Sequence, residues 1–265
     1  MPASAGMTKE RRGEDMDRLQ DKAILIAGAS ANIGAATAIR LAGEGARVML
    51  GARSPDRIGA VADQIRAKGG QAETVCFDAT DDASIAAMVA QAADRFGGLD
   101  GMFVNMAELT LHKVDTDAVS VPLEVFDKAV AVNLRGHLLC ARHAVPLLVE
   151  RGGGSIVFTS SSAAFMGRDR GISYTVTKHA LTALMRHVAT TWGKQGVRSN
   201  IVSPGLVLSE KNRNHPEMDK VLANTPSPRL GEPEDLAAVV AMLMSSDGEW
   251  INGQILCVDG GVVMR

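Results

Sequence analysis

Short apolar runs alternate with longer amphipathic stretches along most of the chain. Seven of these runs have the length and the β-branched or aromatic content of strands: KAILIAG (22–28), ARVMLGA (46–52), AETVCFD (72–78), LDGMFVN (99–105), GSIVFTS (154–160), VRSNIVS (197–203) and ILCVDG (255–260). They carry little polar alternation, which is typical of strands in a parallel sheet that is buried on both faces.

The segments between the strands carry the period of helices. Helices are predicted over about 32–44, 58–68, 81–96, 126–149, 174–192 and 234–244. Right-handed crossovers between parallel strands would place these helices on both sides of the sheet. The pattern therefore predicts an α/β fold of the Rossmann type, with a doubly wound, seven-stranded, mostly parallel sheet and helices on both faces. Residues 1–20 are polar and are predicted to form a flexible tail before a single domain over 21–265.

Composition narrows the range of partners. The chain has 265 residues, is 46% hydrophobic and carries a formal net charge of −2, which gives no reason to expect a nucleic-acid partner. No apolar run reaches the roughly 18 residues that span a membrane, so no membrane association is predicted. The cysteines Cys76, Cys140 and Cys257 are scattered and predict reduced core thiols in a cytoplasmic protein. The six histidines have no ligand spacing, and no metal site is predicted.

The first strand ends in a turn of glycine and small residues, ILIAGASANIG (24–34). Gly28 permits a tight turn, and Gly34 permits the next helix to pack closely on the sheet. Asn32 stands where another glycine is common, and asparagine suits both a left-handed backbone position and a helix N-cap. The start of the helix would offer free N–H groups to a phosphate. A plain strand-to-helix turn explains this stretch equally well.

A second motif points to proton transfer. Tyr174, the only tyrosine in the chain, and Lys178 are four residues apart in SYTVTKHAL and share one face of a helix. A lysine ammonium beside a phenol favours the phenolate, so the pKa of Tyr174 is predicted to lie below its usual value of about 10. Such a tyrosine can exchange a proton with an alcohol or carbonyl oxygen. The alternative is an ordinary charged pair on a solvated helix.

With both motifs in place, the chain from about Leu19 onward resembles the classical short-chain dehydrogenase/reductase family. AGASANIG is similar to the family's Thr-Gly-x-x-x-Gly-Ile-Gly motif, with Ala27 and Asn32 as the departures. The family's Tyr-x-x-x-Lys motif is intact. RLGEPEDLAAVV and INGQILCVDGG are similar to its C-terminal signature.

The resemblance implies a catalytic tetrad and a role for each member. Ser161 is chosen over its neighbours Ser160 and Ser162 because it lies thirteen residues before the tyrosine, and Asn133 comes from VNLRG. Tyr174 would exchange a proton with the substrate oxygen, and the serine would orient that oxygen. The lysine would hold the ribose hydroxyls of the cofactor, and the asparagine would hold a water. The implied tetrad is Asn133, Ser161, Tyr174 and Lys178.

The same resemblance implies a nicotinamide cofactor. The family's Asn-Asn-Ala-Gly motif appears here with Met106 and Glu108 as departures. Ala52 occupies the acidic position that would select NAD(H), and Arg53 follows it, which favours NADP(H) over NAD(H). A surface role for Arg53 is the alternative. The implied cofactor-binding residues are Gly28, Ser30, Asn32, Ile33, Gly34, Arg53, Ser54, Asp78, Ala79, Asn105, Ala107, Tyr174, Lys178, Pro204, Gly205, Val207 and Ser209.

The implied function is an NAD(P)-dependent oxidoreductase that transfers a hydride between the cofactor and a carbonyl or secondary-alcohol substrate. A non-catalytic cofactor-binding or regulatory module on the same fold is the alternative. The family usually assembles as homotetramers or homodimers, and the same is expected here. The long polar segment 206–229 is expected to be an irregular substrate lid, with 109–122 as the opposite wall. In the lid, Lys211, Arg213 and His215 either meet an acidic substrate or form a solvated face.

Overall fold

The computed structural model describes residues 18–264. Its seven strands lie parallel in one sheet, in the order β3-β2-β1-β4-β5-β6-β7. The chain direction across the sheet reverses between β1 and β4, which defines the switch point of a doubly wound fold and confirms the predicted class. The strands are β1 (Ala23–Ala27), β2 (Arg47–Ala52), β3 (Gln71–Cys76), β4 (Gly101–Val104), β5 (Gly154–Thr159), β6 (Val197–Pro204) and β7 (Ile255–Val258).

Helices cover both faces of this sheet. Those of the described part are α1 (Asn32–Gly43), α2 (Pro55–Ala67), α3 (Asp82–Phe96), α4 (Leu123–Ala129), α5 (Gly136–Glu150), α6 (Ile172–Trp192), α7 (Glu217–Ala223) and α8 (Pro233–Met244). Between 18 and 264, no helix is long and apolar enough to cross a membrane.

Each face of the sheet has its own hydrophobic core. Neighbouring residues of a strand point to opposite faces, so Met102 packs in one core and Phe103 in the other. Helices α3, α5 and α6 cover the first face, and helices α1, α2 and α8 cover the second. Phe103 and Phe158 are completely buried, and burial of such a side chain contributes roughly 1.5–3 kcal/mol. The two cores hold the carboxyl ends of the strands in place as one edge.

The predicted helix over 126–149 is interrupted. Helix α4 ends at Ala129, a π-helical segment follows over Val130–Arg135, and α5 continues from Gly136. The backbone passes very close to the end of the sheet here, because a Cβ on Gly136 would lie 2.6 Å from the carbonyl oxygen of Ala79. Sequence periodicity does not reveal such a π segment, which widens the helix by about one residue per turn and is frequent at functional sites.

The predicted lid over 206–229 is not wholly irregular. Helix α7 fills Glu217–Ala223, with Glu217 and Asp219 in its first turn and Lys220 in its last. These charges are favourable at their ends of the helix, which explains why a polar segment is helical. The expectation of an irregular segment was therefore wrong for these seven residues.

Two smaller expectations also need correction. The predicted flexible tail falls mostly on residues 1–17, which lie outside the described part of the chain. Of the remainder, Leu19 is completely buried and Arg18 bonds to Glu44 at 2.8 Å, so the folded domain already includes them. Cys140 is buried and Cys257 is partly buried, but Cys76 is exposed at the end of β3 rather than in the core.

Candidate active site

A cavity of about 640 Å³ opens at the carboxyl ends of the strands, at the switch point of the sheet. Most residues implied for cofactor binding or catalysis line it: Gly28, Ser30, Asn32, Ile33, Arg53, Ser54, Asp78, Ala79, Asn105, Ala107, Ser161, Tyr174, Lys178, Pro204, Gly205 and Val207. Gly34, Asn133 and Ser209 do not. Gly34 packs behind the turn, Asn133 lines a neighbouring cavity, and the backbone N–H of Ser209 is bonded to Asn212 at 2.6 Å.

The turn after β1 is closed tightly against the loop after β4. Gly28 has a φ of +97°, and a Cβ there would lie 2.9 Å from the backbone nitrogen of Met106. A Cβ on Gly34 would lie 1.9 Å from the carbonyl oxygen of Gly28, which leaves no room for any side chain. Asn32 has a φ of +50°, so it takes the left-handed position predicted for it. The N-cap, however, is Ala31 and not Asn32.

The first turn of α1 has features that suit the binding of an anion. Its N-cap makes no side-chain hydrogen bond, and its first turn holds no acidic residue. By contrast, Asp81 caps α3, and Glu232 with Asp235 forms a capping box on α8. Ala31, Asn32 and Ile33 at the start of α1 line the cavity, and the N-terminus of a helix suits a phosphate group.

Met106 and Glu108, which depart from the family motif in the loop after β4, do not widen the turn after β1. Asn105 donates to the carbonyl oxygen of Gly28 at 3.2 Å and accepts from the hydroxyl of Thr159 at 3.0 Å. It thereby connects the ends of β1, β4 and β5. Met106 is buried, with 7% of its surface exposed. The first asparagine of the motif is enough to hold these loops together.

Arg53 lies at the end of β2, where the adenosine ribose is bound in folds of this type. Ala52 is 7% exposed and brings no charge to this position. Among residues 18–264, no carboxylate lies within ion-pair distance of Arg53, although its charge contributes to a lowered pKa of Asp78. The main cause of that lower pKa is the pair of hydrogen bonds from Thr80. The guanidinium is thus available to a ligand in the cavity.

Tyr174 and Ser161 meet at the inner end of the cavity. Ser161 follows β5 and begins a 3₁₀ turn over Ser162–Phe165, while Tyr174 lies on the first turn of α6. Both side chains line the cavity, and the Ser161 hydroxyl acts on the phenol of Tyr174, where it lowers the pKa. Ser160 instead donates to the carbonyl oxygen of Lys178 at 2.8 Å, and Ser162 is buried. The geometry therefore favours the serine that sequence spacing selected.

Lys178 is 1% exposed and donates from Nζ to the carbonyl oxygen of Thr159 at 2.8 Å. Nζ lies 5.9 Å from the centroid of the Tyr174 ring. Burial lowers the pKa of Lys178 to about 7, since the charged form is disfavoured away from water. The lysine is half neutral near neutral pH in the absence of an anionic ligand.

The pKa of Tyr174 differs from the prediction. Burial raises it above its usual value, and the hydrogen bond with Ser161 and the charge of Arg168 oppose that rise only in part. The predicted lowering by Lys178 was wrong for the protein alone, because burial of the phenol raises its pKa more than its neighbours lower it. The phenol consequently keeps its proton at neutral pH.

Asn133 lies inside the π-helical segment and braces the site. Its side chain accepts from the backbone N–H of Glu108 at 2.7 Å and donates to the hydroxyl of Thr177 at 3.4 Å. It thus joins the loop after β4 to the helix that carries Tyr174 and Lys178. The predicted water-holding role stays a prediction.

The sequence predicted no role in the site for two residues that line the cavity. Glu108 was noted only as a departure from the family motif, and Lys128 on α4 was not singled out, yet both line the cavity. The carboxylate of Glu108 is 4% exposed, accepts from the backbone N–H of Thr110 at 2.7 Å, and lies 3.7 Å from Nζ of Lys128. The sequence signal that could have revealed Glu108 was a carboxylate at the position where the family motif has a glycine. In the part described, no three His, Cys, Asp or Glu side chains are grouped to hold a metal.

Known proteins share this architecture along almost the whole chain. A family model described as enoyl-(acyl carrier protein) reductase matches residues 28–263. The 7alpha-hydroxysteroid dehydrogenase of Bacteroides fragilis is 32% identical over 253 residues, covering 94% of this chain and 97% of that protein. The L-rhamnose 1-dehydrogenase (NAD(P)(+)) of Azotobacter vinelandii is 35% identical over 256 residues, covering 93% and 98%.

A solved structure agrees. The crystal structure of a short chain dehydrogenase from Burkholderia cenocepacia in complex with NADP superposes with a TM-score of 0.85 at 32% identity, covering 92% of this chain and 99% of that chain. Fold and relatives together define an oxidoreductase that uses a nicotinamide cofactor and acts on a carbonyl or alcohol group. More narrowly, the chain belongs to the short-chain dehydrogenase/reductase family, as the order of its motifs predicted. The non-catalytic alternative gains no support from these matches.

Proposed function

We propose that Tyr174 is the acid/base residue of this enzyme and that Ser161 orients the substrate oxygen. The observation that carries this proposal is that both hydroxyl side chains line the cavity and that Ser161 acts on the phenol of Tyr174. A carbonyl oxygen bound beside both side chains would receive one hydrogen bond from each hydroxyl. The protonated state of Tyr174 suits donation to the oxygen in the direction of reduction.

The cavity fits a dinucleotide cofactor. The uncapped start of α1 and the space kept by Gly28 and Gly34 suit the pyrophosphate, and Arg53 suits an adenosine phosphate. When bound, the nicotinamide supplies or accepts the hydride. Lys178 would donate to the ribose hydroxyls, and an anionic ligand nearby would raise its pKa and restore its charge. A charged Lys178 would in turn make loss of the Tyr174 proton easier.

We infer that NADP(H) is preferred over NAD(H). A carboxylate at position 52 would repel the 2′-phosphate, whereas Ala52 leaves room and Arg53 offers an unpaired guanidinium. Ser54 and Arg57 also line this end of the cavity. A charge-assisted contact of this kind is worth roughly 1.5–3 kcal/mol before solvent screening, which reduces it at an exposed arginine.

We also propose that the enzyme is a homotetramer. Leu138 on α5 is 51% exposed and Val176 on α6 is 44% exposed, so both long helices keep apolar side chains away from the sheet. Trp250 lies in the segment between α8 and the edge strand β7, and it is 99% exposed. Exposed apolar positions at two places suit two different two-fold interfaces. A monomeric mass in light scattering at working concentration would contradict this assembly.

The experiment for the catalytic roles compares single substitutions. Tyr174→Phe keeps the ring and removes the proton donor, and turnover should fall by about 10²–10⁴-fold while nucleotide still binds. Ser161→Ala should also lose turnover, and Ser162→Ala is its matched control because that buried neighbour does not line the cavity. Turnover is measured on a panel of ketones with NADPH, and binding by quenching of nucleotide fluorescence. Near wild-type turnover of Tyr174→Phe would contradict the proposal.

A further inference from the structure

A second cavity of about 490 Å³ lies on the far side of Tyr174. It is bounded by the loop after β4, the start of α4 and the loop before α6. Tyr174, Glu108 and Leu109 line both this cavity and the cofactor cavity, so the two are neighbours. We propose that this second cavity holds the part of the substrate remote from its carbonyl group, and that Arg168 binds an anionic group there. The substrate class is then an oxo acid, and the inference rests on the proposed role of Tyr174.

The ionisable side chains around the second cavity are predominantly basic. Two carboxylates, Glu108 and Asp115, are outnumbered by four basic side chains: His112, Lys113, Arg168 and Arg170. The four basic groups are exposed at the rim, whereas both carboxylates are buried. An anionic substrate would therefore meet positive charge at the entrance.

Neither carboxylate forms an ion pair with these four basic groups, because each is held by other partners. Both oxygens of Asp115 accept from the start of α6, from the N–H groups of Ser173 and Tyr174, each at 3.0 Å. The carboxylate of Glu108 is bonded to Thr110 and lies 3.7 Å from Nζ of Lys128. The acidic groups of this cavity thus stabilise the protein, and none of them is left to bind a cationic substrate.

Arg168 differs from the other arginines near the site. Arg170 donates to the carbonyl oxygen of Lys113 at 3.1 Å. In the segment 206–229, Arg213 forms two hydrogen bonds with Glu232 at 2.8 and 2.6 Å, so this one of the three candidates in that segment is already paired with a carboxylate. No hydrogen bond or ion pair joins Arg168 to any residue between 18 and 264. Its charge nonetheless acts on the phenol of Tyr174.

The rest of the lining suits the carbon chain of such a substrate. Leu109, Leu111, Val125 and Ala129 form an apolar wall between Tyr174 and the basic rim. An aliphatic spacer would pack there, with its carbonyl at Tyr174 and its carboxylate at Arg168. The arginine fork can bind a carboxylate with two parallel hydrogen bonds, which fixes the orientation of the substrate. Arg168 is therefore a specificity-determining residue of the reaction.

The test uses matched pairs of substrates on the intact enzyme with NADPH. The pairs are methyl-ketone carboxylates of increasing chain length, from levulinate upward, each with its uncharged primary amide. For the chain length that fits, kcat/KM should be at least about ten-fold higher for the acid, mainly through KM, and this advantage should shrink as salt is added. Arg168→Gln should lower kcat/KM for the acid about ten-fold more than for the amide and so remove the advantage, and Arg168→Lys should restore part of it. Arg186→Gln, an exposed arginine elsewhere on α6, is the control and should change neither substrate.

A second measurement does not need turnover. The enzyme with NADP⁺ is titrated calorimetrically with the same acids and amides, since the oxidised cofactor and a ketone form a dead-end complex. Tighter binding of an acid than of its amide, lost in Arg168→Gln, supports the anion subsite even if none of these ketones is reduced. Equal binding of each pair, or equal losses for acid and amide in Arg168→Gln, would overturn the inference. Reduction of amides and acids alike, abolished by Tyr174→Phe, would leave the proposed catalytic roles intact.

Discussion

Nζ of Lys178 donates to the backbone carbonyl of Thr159 at 2.8 Å, and this is the only hydrogen bond of that ammonium within residues 18–264. The lysine is 1% exposed, and burial holds its pKa at about 7. A group that could be charged is thus held in the protein interior, beside Tyr174, with one neutral partner. Such an arrangement destabilises the free protein and is expected where function, rather than stability, selects the residue.

Lys178→Met should therefore stabilise the fold while abolishing turnover. The pKa of Lys178 is lower in the folded than in the unfolded state, so its penalty is full below about pH 7 and disappears as the pH rises toward 10.5. The melting temperature should rise by roughly 5 °C at about pH 6, with a smaller gain at about pH 9. Lys194→Met, at an exposed position, should change neither property. Thermal unfolding without nucleotide is the measurement, and a destabilised Lys178→Met would contradict the argument.

Nucleotide affinity should depend on pH for the same reason. Lys178 is charged below about pH 7 and becomes neutral above it, so NADH should bind several-fold more weakly at about pH 9 than at about pH 6. NADH is the suitable probe, because the 2′-phosphate of NADPH titrates near pH 6 itself. Asp78 and Glu108 stay ionised in this range, since the pKa of each lies below its usual value. In Lys178→Met the dependence should vanish, and a pH-independent wild type would rule out this role of the lysine.

Sequence determined the strands more securely than the helices. Short runs rich in apolar and β-branched residues are typical of a sheet buried on both faces, and all seven predicted strands are present. The π segment at Val130–Arg135 could not be found this way, because the close approach of Gly136 to Ala79 that accompanies it is a tertiary contact. Helix α7 was missed because a polar segment with no apolar face gives no period to detect.

The positions of the site residues were predicted well where a motif determines the backbone. Their protonation states and partners were predicted less well, because these depend on the surrounding structure. Sixteen of the predicted residues line the cavity, since glycine turns and strand ends follow from local sequence. The protonation states did not follow, because the pKa values of Tyr174 and Lys178 depend on burial that no spacing reveals. The partners of Arg213 and Glu108 were equally invisible, since they lie nineteen and twenty residues away along the chain.

The turn after β1 gives a prediction about the missing glycine. Asn32 has a φ of +50°, so Asn32→Gly should keep nucleotide affinity close to wild type, whereas Asn32→Ala should cost roughly 1–2 kcal/mol of stability. Gly34→Ala should be far more damaging, because its Cβ would lie 1.9 Å from a backbone oxygen that cannot move away. Thermal unfolding and nucleotide titration of the three variants provide the comparison. An Asn32→Ala protein as stable as wild type would show that the left-handed position is not strained.

The end of β2 gives the cofactor prediction. Ala52→Asp together with Arg53→Ala introduces a carboxylate that can accept hydrogen bonds from the ribose hydroxyls and removes the cation that faces the cavity. Wild type should bind NADPH about ten-fold more tightly than NADH, and the double variant should reverse that order. Because Arg53 is exposed, the wild-type preference should weaken as salt is added, whereas NADH binding to the double variant should change little.

Arg57→Ala alone separates the contribution of the second arginine at this end of the cavity, and Arg186→Ala is the control for loss of one surface charge. Equal affinity of wild type for the two nucleotides at low salt would show that Arg53 is an ordinary surface residue.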